Sequence, residues 1–232
     1  MKRLLLMGVV MGATGWAAAT YTVQVASNYT NVNNYTNCST GPCANYSFAQ
    51  MITGSFTVAA ALPANFTGGA DISNQLVSYS FSDGVNTYTN TDPNARVYQF
   101  SVNTDASGNL TVVSLLIQKW QSGSSPHSAG NRVALINFNG PSINQAENNL
   151  ACSTVGNTTA SHVADVCVLA ANDSASSIAS ETAATTWSTP TTTPAPPPPT
   201  QTPIPSSFVL LLLGLLIVFG WMQRAAKSRG AR

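Results

Sequence analysis

An all-β fold class follows from three features of the 232-residue sequence. Short runs of Val, Ile, Tyr, Phe and Thr alternate with small polar residues at a period of two, the signature of half-buried strands. Asn, Gly, Ser and Asp turns separate these runs, and Asp83-Gly84 lies between two of them, a strong short-range hairpin signal. Charged residues make up only 7% of the chain, so Ser, Thr and Asn must supply the solvent face. Seven or eight short strands of this kind predict an antiparallel β-sandwich.

The strands follow in order. Residues 21–25 (Tyr-Thr-Val-Gln-Val) alternate, and residues 51–58 form a second run. In residues 75–82, Val77, Tyr79 and Phe81 alternate with serines, with Leu76 as the offset member. Residues 85–89 close the hairpin after Asp83-Gly84. In residues 96–102, Val97, Gln99 and Ser101 take one face and Tyr98, Phe100 and Val102 the other. Residues 104–109 make a turn. The run 110–117 is more continuously apolar, which predicts burial on both faces. Residues 132–138 and 162–169 complete the set, and residues 143–150 read as a turn or two of helix. The expected β-rich ectodomain spans residues 20–173, long enough for one domain with its own core.

The two ends predict export and anchoring. Met1-Lys2-Arg3 is a basic opening, residues 4–10 are apolar, and Ala17-Ala18-Ala19 offers the small residues a signal peptidase reads. Residues 1–19 are therefore expected as a signal peptide, cut near Ala19/Thr20, with Ala17 and Ala19 as the recognition positions. From Ser174 the composition turns to Ala, Ser and Thr, then to Pro196-Pro197-Pro198-Pro199. Residues 174–202 are expected to form a Pro/Thr-rich stalk, whose proline-rich part would span roughly 50 Å as an extended polyproline II spacer. No charge lies between Glu181 and Arg224, and residues 208–221 contain eleven Leu, Ile, Val or Phe. Insertion of that run is favourable by roughly 3–7 kcal/mol. Extended to residues 204–222 it is about 28 Å long as a helix, close to the hydrocarbon thickness. One C-terminal transmembrane helix is expected at about residues 206–222, with Arg224, Lys227, Arg229 and Arg232 on the cytoplasmic side.

Charge and cysteines bound the function. All eight acidic residues lie between Asp71 and Glu181, against three basic ones there (Arg96, Lys119 and Arg132), so the body carries about −5. That excludes a phosphate-steering surface, and nucleic acid is not an expected partner. Cys38, Cys43, Cys152 and Cys167 suit disulfides in an oxidising compartment. Local pairing, Cys38 with Cys43 and Cys152 with Cys167, is the simplest of three connectivities. The chain-entropy model assigns about 2 kcal/mol to the first pair and about 3 kcal/mol to the second. The alternative is a metal site of Cys152, Cys167 and His162, although neither cysteine pair has zinc-knuckle spacing.

The C-terminal pattern carries a family resemblance. Thr202-Pro203-Ile204-Pro205-Ser206, the apolar run and the basic end resemble the sorting signals of the PEP-CTERM class, closest to the variant with Val-Pro-Leu-Pro-Ala. Two departures stand out: no Glu lies between the prolines, and the basic residues are spaced rather than contiguous. Residues 54–57, 69–73, 78–84 and 100–109 are similar to an ectodomain that recurs on such proteins. The resemblance implies an exported protein of a Gram-negative bacterium that makes extracellular polysaccharide. It implies processing at Pro203, Ile204 and Pro205 by an exosortase-type enzyme, with signal peptidase, the membrane and an extracellular polysaccharide as partners. The protein would pass from a membrane-anchored precursor to the cell envelope, surface or extracellular matrix.

No catalytic motif is present: there is no GxSxG, HExxH or P-loop. The expectation is a non-enzymatic surface or matrix protein with no cofactor and no metal. His127 reads as a solvated loop histidine. His162 and Asp165, three apart on a strand, would face opposite sides. Asp105 reads as a turn residue rather than a calcium ligand. Eight Asn-x-Ser/Thr sequons, from Asn28 to Asn172, follow from the Asn- and Thr-rich composition. The alternatives are a carbohydrate-binding adhesin, with Tyr79, Tyr88, Tyr98 and Trp120 as a sugar-stacking face, and a permanent type I membrane-anchored protein.

Overall fold

The computed structural model describes residues 17–25, 27–139, 143–158, 163–183 and 185–193. Residues 1–16 of the expected signal peptide (1–19), the Pro-x-Pro motif, the apolar run and the basic tail lie outside the described residues. Among the described residues no helix is long and apolar enough to cross a membrane.

The chain forms β1 (Ala18–Val25), β2 (Asn31–Asn33), β3 (Thr53–Val58), β4 (Ala70–Asp71), β5 (Leu76–Ser82), β6 (Thr87–Thr89), β7 (Ala95–Thr104), β8 (Leu110–Trp120), β9 (Arg132–Asn139), β10 (Ile143–Gly156), β11 (Val166–Ala171), β12 (Ser177–Glu181), β13 (Thr186–Trp187) and β14 (Thr191–Thr193). The smaller sheet has the order β13-β1-β3-β5-β6, with β14 also paired to β1. The larger has the order β2-β12-β10-β9-β8-β7-β4, with β11 on the outer half of β10. All pairings are antiparallel, as neighbours joined by short turns allow.

Alternating side chains from both sheets meet in one core. Phe56 and Phe81 come from the smaller sheet; Phe100, Leu115, Ile136 and Phe138 come from the larger. Phe56 and Phe100 meet edge to face across the gap at 4.7 Å, and Phe81 lies 6.1 Å from Phe138. Two bulges reset the alternation. Thr57 pairs with Ser78 but Val58 pairs with Leu76, so Val77 is the extra residue. Leu76 therefore packs on the core while Val77 is exposed. Tyr98 is the extra residue between Val97 and Gln99, and Val97 turns inward in its place.

The body is longer than expected. Residues 174–193, expected as stalk, supply three strands. The short β12 is hydrogen-bonded on both sides, to β10 and β2, and alternates buried and half-buried positions. Residues 143–150, expected as helix, begin the fourteen-residue strand β10. Its Asn, Gln and Glu residues favour no strand by propensity. Pairing with β9 and β12 on both edges decides the conformation instead.

Candidate functional site

Polar groups interrupt the apolar interior: the buried pair Asn144–Glu181, bonded at 2.8 Å, and three larger clusters. The first is the Asp83 hairpin. Asp83 is fully buried. Its Oδ1 accepts the amides of Val85 and Asn86 at 2.7 and 2.5 Å. Its Oδ2 accepts the hydroxyls of Tyr46 and Tyr88 at 2.9 and 2.8 Å, while Tyr29 donates to its carbonyl. Burial first, then the nearby carboxylate, raises the Tyr46 and Tyr88 hydroxyls well above the phenol range, which keeps them donors. The predicted hairpin is present, but its loop has four residues, with Ser82 paired to Thr87. The Asp83 side chain is the reason, because it ties down two amides that a tighter turn would use.

The second cluster docks the Cys38–Cys43 loop. Asn148 donates to the Pro42 carbonyl at 3.0 Å and Asn149 to the Thr40 carbonyl at 2.7 Å. Arg132 reaches the Asn149 carbonyl, the Thr40 hydroxyl and, at 2.7 Å, Asp173. Gly41 adopts a positive φ of 72°, and a Cβ there would lie 2.0 Å from the Asn149 Oδ1. The position requires glycine on both counts.

The third cluster lies on the outer face of the larger sheet. Trp120, Val133, Leu135, Leu150, Cys152 and Cys167 form a small separate apolar group. His127 stacks on Trp120 with ring centroids 4.3 Å apart and planes within 5°. Asp165 accepts the His127 amide at 2.7 Å and lies 2.8 Å from its Nδ1. Arg96 approaches the same carboxylate at 3.3 Å. Burial raises the Asp165 carboxyl, but the His127 amide and ring, the Ser125 hydroxyl and the His127 charge outweigh it and bring it down to about 2. The Gln118 side-chain amide bonds both the carbonyl and the amide of Cys167, at 2.7 and 3.0 Å. Gln118 thus behaves as one residue of a neighbouring strand and caps the edge of β11.

Several sequence readings change here. His127 is not a solvated loop histidine: its side chain is 1% exposed, because Trp120 and Asp165 give its ring an apolar face and a polar partner. Tyr79, Tyr88 and Trp120 do not form a sugar-stacking face. All three are buried, and the Trp120 Nε1 donates inward to the Asp165 carbonyl at 2.8 Å. Tyr98 is half-buried. Cys152 and Cys167 are not metal ligands, since they form a disulfide, as do Cys38 and Cys43. His162 lies outside the described residues. No group of three or more metal-ligating side chains occurs among the described residues. The Asp105 carboxylate accepts the Ser107 and Asn109 amides of its own turn. The only sign of the His127–Asp165 pair in the sequence is two polar residues flanking apolar runs. Their separation of 38 residues gives no spacing to read.

A cleft of about 290 Å³ opens beside this cluster, lined by Asn74, Val77, Tyr79, Asn90, Arg96 and Val97 among others. Two of its polar side chains, Arg96 and Asn90, are engaged within the fold. Arg96 donates to the carbonyls of Pro93 and Ala95 and faces Asp165. The Asn90 Oδ1 accepts the Tyr79 amide.

Comparison with protein-family models, curated proteins and solved structures returns no match for the chain. The body is accordingly defined by its own geometry: an antiparallel two-sheet domain whose two disulfides are the cysteine usage of an oxidising compartment.

Proposed function

We propose that the chain is an exported, non-enzymatic cell-surface or matrix protein of a Gram-negative bacterium. A C-terminal sorting signal delivers it, and an exosortase-type enzyme processes that signal at Pro203, Ile204 and Pro205. The observation that carries the reading is the oxidised body: among the described residues no cysteine is free. A domain closed by two disulfides fits folding in an oxidising compartment. A basic, apolar leader before it and an apolar, basic-ended segment after it fit that route.

Intact-mass measurement on protein from the native host tests this. The expected mature form lacks residues 208–232. A mass that retains Arg232 defeats processing and would leave a permanently anchored protein.

A further inference from the structure

The chain crosses from the larger sheet to the smaller one beside a buried amide. β12 ends at Glu181 in the larger sheet, and β13 begins at Thr186 in the smaller. Thr185 closes that connection. Glu181 and Asn144 sit opposite each other on β12 and β10 and are 1% and 0% exposed.

Three reactive groups meet at this point. The Asn144 Nδ2 donates to the Glu181 Oε1 at 2.8 Å and also to the Thr185 Oγ1. A hydroxyl, a carboxamide and a carboxyl group are thereby held in contact, with the carboxamide in the middle. The Glu181 Oε2 and the Asn144 Oδ1 are buried and have no hydrogen-bond partner. Buried polar atoms are nearly always paired, so two orphans on adjoining side chains need an explanation. Burial raises the Glu181 carboxyl above its ordinary value, against the lowering effect of the Asn144 amide. A carboxyl moved in that direction is better matched to taking and returning a proton near neutral pH.

We infer that Thr185 and Asn144 react to form an intramolecular ester, with Glu181 as the proton carrier. The Glu181 carboxylate takes the Thr185 hydroxyl proton as Oγ1 attacks the Asn144 Cγ. The Oγ1–Cγ bond forms and the Cγ–Nδ2 bond breaks. Glu181 passes the proton to the departing nitrogen, which already lies 2.8 Å from its Oε1. One ammonia leaves, nothing is oxidised or reduced, and no other reactant is needed. Contact between the groups supplies the proximity the exchange requires, and escape of ammonia to solvent draws it forward. In the product a protonated Glu181 can donate to the ester carbonyl, so the two orphan acceptors satisfy each other. The link spans 41 residues and ties the crossover to β10. A pull from the C-terminal side would stop there and leave β12 in place. The bond depends on the fold alone, whichever way the ends are processed.

Peptide mapping of the full chain, purified folded and then denatured and reduced, tests this. Cleavage after glutamate cuts at Glu147 and Glu181 and puts Asn144 and Thr185 on different peptides. The expected result is one joined species, lighter than the two peptides together by one ammonia. Mild alkali should split it and leave a carboxylic acid at position 144. Two separate peptides of unchanged mass overturn the inference. Thr185→Ser keeps a hydroxyl and should keep the link, whereas Thr185→Val should abolish it. Glu181→Gln keeps the shape of the side chain, and its linked fraction in freshly made protein should fall roughly tenfold or more. A link that persists in Thr185→Val overturns the ester, and one that forms equally well in Glu181→Gln overturns the role of the carboxyl.

Discussion

The core between the sheets and the cluster on the outer face of the larger sheet are stabilised by different means. The inner core gathers aromatic and aliphatic side chains from both sheets, and the buried Asp83 carboxylate has hydrogen bonds to both oxygens. The outer cluster has six buried members. It is closed by the Cys152–Cys167 disulfide, the Gln118 amide and the Asp165 carboxylate. Apolar area scales the stabilisation available from burial. Where that area is small, covalent and polar ties fix the chain instead.

The largest expected effect belongs to the inner core. Phe56 touches Tyr21, Phe100 and Trp187, with ring centroids 5.1, 4.7 and 5.6 Å away. Phe56→Ala should lower unfolding stability by about 4 kcal/mol in denaturant titration. Leu169→Ala, on exposed β11, should change it by less than about 0.5 kcal/mol. A loss below about 2 kcal/mol at Phe56 would mean that the aromatic contacts across the gap do not govern stability.

The outer cluster should respond most to its disulfide. Replacing Cys152 and Cys167 together by serine opens a link spanning 15 residues and should cost about 3 kcal/mol. Unfolding should stay cooperative, because the inner core is untouched. If the double variant fails to fold while Phe56→Ala folds, the outer cluster would be the dominant element and the ranking would reverse.

Asp165 provides a pH test of the same cluster. Its carboxyl lies at about 2 in the folded chain, below the ordinary value near 4 that it takes when unfolded. The unfolded state therefore binds the proton first as pH falls. The stabilisation is fully present above about pH 4 and is lost as pH drops through about 2. Its size is on the order of 2 kcal/mol. Asp165→Asn should weaken the protein by that order at pH 6 and flatten the acid limb of its stability profile. A variant with an unchanged acid limb would remove Asp165 from the set of ties.

The inner core was far more legible in the sequence than the outer cluster. Tyr79 and Phe81 alternate with serines because one sheet face is buried, and a period of two reports that directly. The bulges at Val77 and Tyr98 escaped because one inserted residue leaves composition unchanged and only shifts register. β12 was hidden by its small residues, and β10 by its amides, whose partners lie far away in sequence. The third cluster was invisible for the same reason. His127, Asp165 and Gln118 acquire their roles only when β11 crosses the outer face of β8.

Gln118 carries the finest test, because its effect should be local. Its amide satisfies two buried backbone groups of Cys167 that no strand pairs. Gln118→Ala leaves both groups without partners, yet the nearby disulfide still keeps the chain from leaving. The expected outcome is a global loss of only about 1 kcal/mol, since β11 can lift far enough to hydrate the freed groups. Hydrogen exchange should separate the regions. The Cys167 amide should exchange roughly tenfold faster or more, while the Phe56 amide, paired between β1 and β5, should follow only the global change. Equal acceleration at both sites would mean that the outer cluster and the inner core open as one unit, and the division between them would fall.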